Sequence, residues 1–372
     1  MLAVAAASVV VGIAACSTSG STGTQSSGSG ASASASAGSP GLVAAKKVAD
    51  SALGPSQMAV TKPIGVPVPA GKTIDIVACA ASECLIAPDA AQAAGKELGW
   101  HVNVIPAGSD PASLQNAFQQ IVREKPDGVV YLGQDPTPFR TELAQLGALH
   151  IPVIAAGTVG APGVSAVVQP TAFNATVGQV AAAYVASESA GKANVLIANI
   201  PSYPIYQAMT AAFLKSMKTY CACKVTVLNL PAASLGNNAT QMEVNAVRQN
   251  SQINWVVNVL DSVSLGLPGM LKTAGRSDVK LFGIYPGSAN GPAIADGQET
   301  GAIALAEDLF GWTWIDALAR IYTGQSTAPD QIVNILPIHI WNTSNFTYTG
   351  NGEGALPPLV PDYVSEFKKL WN

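Results

Sequence analysis

GVVYLGQDPTPFRTELAQLGALHIPVIAA, Gly128–Ala156, contains one complete structural unit. Gly128–Leu132 is an apolar run of strand length, Phe139–Leu149 spaces its apolar residues at helical period, and Val153–Ala156 is a second strand. Two strands joined through a helix lie parallel, because a parallel pair needs a long crossover that a hairpin turn cannot supply. Toward the N-terminus the same alternation predicts strands at Thr73–Ala80 and His101–Pro106 and helices at Asp89–Leu98 and Pro111–Glu124, the last capped by Asp110. Toward the C-terminus it starts again after Val164–Val168. Helices at Thr176–Ser189, Ile205–Lys218, Thr240–Asn250 and Leu265–Ala274 alternate with strands at Ala193–Ile200, Val225–Leu230, Trp255–Leu260 and Lys280–Ile284. The expectation is an α/β protein of two doubly wound parallel-sheet lobes with a cleft between them. Ligands of such sheets sit beyond the carboxyl ends of the strands, so the residues that follow each strand are the functional candidates.

Composition narrows the function classes. The chain has 372 residues, 48% of them hydrophobic and 11% charged, which suffices for two cores. Nineteen Lys and Arg against 23 Asp and Glu give a net charge of -4, and no basic run exceeds Lys46-Lys47 or Lys368-Lys369, so no nucleic-acid partner is expected. No apolar stretch in the body is long enough to span a bilayer.

The N-terminus reads differently. Residues 1–15 fit the short apolar region of a secretory signal, and Ile13-Ala14-Ala15-Cys16 resembles a bacterial lipobox, although basic residues ahead of it are absent. Lipidation at Cys16 would place the protein on the outer face of the cell membrane. Ser17–Pro40 has no aromatic or charged residue and reads as a flexible tether of about 25 to 30 Å. The tether and its proline-rich lead-in fill 16–70, with one short helix at Leu42–Leu53, and the folded body is expected from about Gly71. The other cysteines form two close pairs, Cys79 with Cys84 and Cys221 with Cys223, which can close into disulfides in an oxidising compartment. The three histidines, His101, His150 and His339, have no second ligand at metal spacing, so no metal and no cofactor is expected.

Ile151–Thr158 (IPVIAAGT), Asn174-Ala-Thr-Val-Gly178, Asp261-Ser-Val-Ser-Leu-Gly266 and Thr273–Gly287 (TAGRSDVKLFGIYPG) follow one another in an order that resembles the type I periplasmic binding proteins, specifically the ribose-like branch of ABC transporters. The resemblance spans about Gly71 to Asn345. It implies two lobes joined by three crossovers, near Pro170–Asn174, Leu305–Asp308 and Ala328–Ile332. It also implies closure over a small-molecule ligand that is handed to an ABC permease in the membrane. The lobe boundaries that follow are 71–172 with 306–329 and 173–305 with 330–349, leaving 350–372 as a C-terminal tail. A monomer is expected.

Departures from the family pattern point to the ligand. Sugar-binding members pair buried hydroxyls with planar polar side chains, since an unpaired one is costly. By alignment, Gly157-Thr158 stands in place of an Asp-Arg pair, Phe173 in place of Asp, Met209 of Arg, Leu260 of Asn, Tyr285 of Asp and Leu305 of Gln. A free sugar would leave hydroxyls unpaired there. The expected ligand is less polar or more aromatic, gripped by Phe173, Tyr203, Tyr206, Met209 and Tyr285. Ser82, Glu83, Gln134, Asp135, Thr158, Ser202 and Asp261 are the polar candidates, with Asp261 read first as a helix cap and only second as a ligand contact. Burying about 200 Å² of such a ligand would contribute about 5 kcal/mol before binding costs.

Three other readings compete. An enzyme is disfavoured, since no Gly-rich dinucleotide or phosphate loop and no nucleophile elbow follows any strand. A ligand sensor that presents its bound form to a membrane signalling protein needs the same fold and the same closure. Sugar binding through non-standard contacts is the third.

Overall fold

The computed structural model describes residues 38–58, 62–78, 85–108, 110–304, 306–325, 327, 336–350 and 356–372. Helix α1, Pro40–Leu53, comes first; Ser39 caps it by accepting from the Leu42 amide, and Pro40 occupies its first turn. The first lobe then builds a five-stranded parallel sheet from β1 (Thr73–Ala78), β2 (His101–Pro106), β3 (Gly128–Leu132), β4 (Val153–Ala156) and β5 (Ala166–Val168), in the order β2-β1-β3-β4-β5. Helices α2 (Ile86–Glu97), α3 (Pro111–Glu124) and α4 (Arg140–Ala148) connect them. Asp110 caps α3 through the Ser113 amide at 2.9 Å, and Lys125 ends it in the left-handed region at φ 53°. The central strands β1, β3 and β4 are buried on both faces, as their unbroken apolar runs require, while β2 at the sheet edge is only partly covered.

Helix α5, Thr171–Glu188, carries the chain into the second lobe. There β6 (Asn194–Asn199), α6 (Pro204–Tyr220), β7 (Lys224–Asn229), α7 (Ala239–Gln249), β8 (Trp255–Asn258), α8 (Leu267–Thr273), β9 (Lys280–Ile284), α9 (Gly291–Ala295) and β10 (Gly301–Ala304) follow. The order β7-β6-β8-β9-β10 repeats that of the first sheet, and β11 (His339–Trp341) adds antiparallel to β10, with Ala304 opposite His339. Between β10 and β11, helix α10 (Glu307–Tyr322) returns to pack on α2 of the first lobe. The last helix, α11 (Tyr363–Trp371), lies against α10, where Trp371 stacks on Trp312 at 5.3 Å.

Two elements differ from expectation. Ordered structure begins ahead of Gly71: α1 packs on α5 and α6, burying Leu42, Ala45, Ala49 and Ala52. The stretch expected to be a tail ends in α11, whose Phe367, Leu370 and Trp371 are buried. Of the three expected crossovers, the first is described, whereas Leu305 and residues 328–332 lie outside the described residues.

Candidate functional site

Four of the candidate residues gather in one buried cluster that reaches both sheets. Phe173 opens α5, Tyr206 and Met209 lie in the first turns of α6, and Tyr285 follows β9; all four are buried. They belong to one apolar cluster that runs from Ile76, Ala156 and Val168 of the first sheet to Ile197, Val257 and Ile284 of the second, with Phe310 of α10 among them. Tyr203 is half-buried and sets its ring edge-on to Tyr206 at 5.6 Å. The close packing of α5 on α6 explains Gly178, since a Cβ there would collide with the Met209 carbonyl.

A polar chain crosses this apolar floor. Gln169, directly after β5, donates from Nε2 to the Tyr285 hydroxyl at 3.2 Å, and that hydroxyl donates to Asn174 Oδ1 at 3.0 Å. Asn174 Nδ2 in turn donates to the Gln169 and Pro170 carbonyls at the first crossover. Both Gln169 and Tyr285 are held in the left-handed region, at φ 55° and 58°. Burial pushes the Tyr285 and Tyr206 hydroxyls upward, so both stay neutral donors. Gln169 was not legible as a site residue; its only signal is a polar side chain between a strand and the crossover proline.

The remaining candidates divide. Thr158 is buried and its hydroxyl donates to the Gln134 carbonyl at 2.7 Å, so the residues after β3 and β4 meet. Asp135 is exposed and accepts from the Thr137 amide, which makes it a turn former, and Ser202 is exposed. Ser82, Glu83, Cys79, Cys84 and Cys16 lie outside the described residues. Cys221 and Cys223 are joined in a disulfide between α6 and β7.

Asp261 corrects the cap expectation: its side chain makes no capping bond. Its carboxyl lies against Gly283 of β9, where no Cβ would fit, in a buried group with Glu243 and Glu299. Ser264 donates to Glu243 at 2.7 Å and Asn290 to Glu299 at 3.4 Å. Burial raises all three carboxyls, Glu243 to about 8, and the Glu299 charge raises Asp261 further. Burial therefore disfavours the charged form of each, and Glu243, pushed to about 8, carries its proton at neutral pH.

Among the described residues no group of three His, Cys, Asp or Glu is arranged to hold a metal ion, and no helix is long and apolar enough to cross a membrane. A groove of about 850 Å³ opens at the amino ends of β9 and β10, the opposite end of the second sheet, between residues that include Lys272, Lys280, Gln298 and Asn342. It lies away from the strand ends where ligands of such sheets sit, and most of its polar lining is exposed.

The profile of the family described as "periplasmic binding protein domain" matches residues 86–326. Among solved structures, a glucose-galactose binding protein from Geobacillus stearothermophilus superposes with a TM-score of 0.65 at 15% identity, covering 74% of this chain and 99% of that one. An ABC transporter solute-binding protein from Agrobacterium vitis with bound allitol gives 0.62 at 22% identity, over 73% and 96% of the two chains. The XylFII–LytSN complex gives 0.64 at 16% identity, over 74% and 100%. No curated protein matches the sequence.

Proposed function

The chain belongs to the periplasmic binding protein family, and on that premise we propose that it is a lipid-anchored, extracytoplasmic solute-binding component of an ABC importer. The lobes are 71–172 with 306–329 and 173–305 with 330–349, a division supported by the return of α10 to α2 and the pairing of β11 with β10. The ligand sits between them and is less polar or more aromatic than a free sugar. One observation carries this reading: Phe173, Tyr206, Met209 and Tyr285 are all buried in the apolar cluster that reaches both sheets, and the hydroxyl of Tyr285 is already engaged by Gln169 and Asn174. A sugar placed on that floor would find few free partners for its hydroxyls. The lipid is carried on Cys16, and the anchored chain acts as a monomer that performs no chemistry on its ligand.

A second reading keeps the ligand and changes the output to a membrane signalling protein. It is supported by the likeness to the XylFII–LytSN complex. The relatives solved with a polyol or named for sugars support the further alternative of a sugar held by non-standard contacts.

A thermal-shift screen of ribose, galactose, allitol, adenosine and benzoate tests the ligand class. A ligand at 100 times its Kd should add about 2.7 kcal/mol of stability. Larger shifts with adenosine or benzoate than with ribose or galactose are expected; a shift confined to the sugars would overturn the apolar reading. Separately, Cys16→Ser should free the protein from membranes while leaving those shifts unchanged.

A further inference from the structure

The segment ahead of β1 is bound at both ends, and to different lobes. Helix α1 is seated on the second lobe: its buried face packs on α5 and α6, Gly41 approaches the Tyr220 carbonyl so closely that no Cβ would fit, and α1 also touches β11. At its C-terminal end Asn345 Nδ2 donates to the Leu53 carbonyl at 3.3 Å. The chain then reaches the first lobe. There Arg320 of α10 donates to the Lys62 carbonyl at 3.0 Å, the Ile64 amide donates to the Leu370 carbonyl of α11 at 2.7 Å, and Gln325 donates to the Ile64 carbonyl. Farther on, Trp100 Nε1 donates to the Pro69 carbonyl at 2.8 Å.

The first-lobe mooring is built from buried groups. Arg320 is 1% exposed and pairs with Asp316 at 2.8 Å, while Trp371 donates to the other Asp316 oxygen at 2.9 Å. The buried ion pair thus ties α10 and α11 to the backbone of the lead-in. Ile64 is buried, as is Met58 on the approach to it. The family match begins only at residue 86, so the moored segment itself lies ahead of the part of the chain that the family profile describes.

We propose that the moored stretches 40–58 and 62–69 act together as a fourth connection between the lobes, a strap that holds them near the arrangement seen here and limits their rotation. The physical reason is geometric. A crossover is a hinge that absorbs rotation in a few backbone angles at small cost. With α1 fixed to one lobe and 62–69 to the other, rotation must also break one mooring or deform the chain between them. The strap therefore biases the equilibrium between lobe arrangements toward the one whose contacts it satisfies. On the anchoring reading above, the tether joins the body at this same helix, so the anchor would hold the second lobe and leave the first to move.

The test adds slack without removing a mooring. A Gly-Ser insertion of about eight residues between Pro55 and Ser56, both ahead of Met58, adds about 15 Å of reach. Pulsed dipolar spectroscopy on the full chain, with spin-labelled unnatural amino acids at exposed Arg123 in the first lobe and Gln249 in the second, reads the interlobe distance without any ligand. A distribution that broadens and gains a displaced population in the insertion variant is the expected result. Gly41→Leu, which unseats α1 instead, should produce the same change, so a folding defect in one variant does not decide the matter. Distributions unchanged from wild type in both variants would overturn the strap. Because no ligand enters the measurement, a failed ligand screen leaves this result interpretable.

Discussion

Two environments lie side by side at the carboxyl ends of β8 and β9. Tyr285, which follows β9, shares an apolar cluster with Phe173, Tyr206 and Met209, whereas Gly283, two residues earlier, is pressed by the carboxyl of Asp261 beside Glu243 and Glu299. The Tyr285 hydroxyl accepts from Gln169 of the first lobe within an apolar cluster, whereas Glu243 and Glu299 accept from Ser264 and Asn290 of the second. Desolvation explains how both persist. Burial disfavours the charged form of a carboxyl that has no cation beside it, so all three acids are pushed toward their protonated, hydrogen-bonding form. Polarity in this lobe therefore serves internal packing at the position where a sugar-type clamp would be expected to project it.

The floor should be the more sensitive of the two to truncation. Phe173→Ala is expected to cost about 3–5 kcal/mol in chemical denaturation and to weaken any ligand found by the screen. A loss of affinity with unchanged stability would show that the ring is free of the core, and the comparison would need redrawing. Tyr285→Phe should cost less, about 1–3 kcal/mol, because it leaves Asn174 Oδ1 and Gln169 Nε2 without their shared partner. A neutral effect would mean that the chain across the floor carries no energy.

The acidic side should respond to pH rather than to truncation. Glu243 has an ordinary value of 4.5 and is pushed up to about 8 in the folded protein, so between those values the native state binds more protons than the unfolded one. Stability is therefore expected to be fully retained below about pH 4.5 as far as this group is concerned. It should fall as pH rises toward 8, by at most about 1.4 kcal/mol per pH unit for one proton. Asp261 and Glu299, raised by the same burial, act in the same direction. Denaturation midpoints measured across that range check the sign, and Glu243→Gln should flatten the slope. A stability that rises over this window would show that the acids are ionised and paired.

The succession of strands and helices was legible because long Val- and Ile-rich runs alternate with helical period, and Asp110-Pro111 announces a helix start that the structure reproduces. Short strands were not. Gly301–Ala304 reads GAIA and His339–Trp341 only HIW, too little apolar or β-branched sequence to stand out, and their place is set by pairing with β9 and with each other. Helix α1 was visible, but its packing was not, since an alanine face at Ala45, Ala49 and Ala52 carries little hydrophobic signal until α5 and α6 are seen to fit it. Helix α11 hid in the same way, its aromatic face meaningful only beside Trp312. At the site, side-chain type pointed to Phe173 and Tyr285. The role of Gln169 depends on a left-handed backbone and a partner 116 residues away, neither of which leaves a mark on the local sequence.

The most direct measurement is a crystal structure of the full-length protein with the ligand that gives the largest thermal shift. The account expects that ligand between the two sheets, with an apolar or ring face against Phe173, Tyr206 and Tyr285. A hexose held by charged side chains at the same place, or a ligand seated in the groove near Lys272 and Lys280 with the floor untouched, would contradict it.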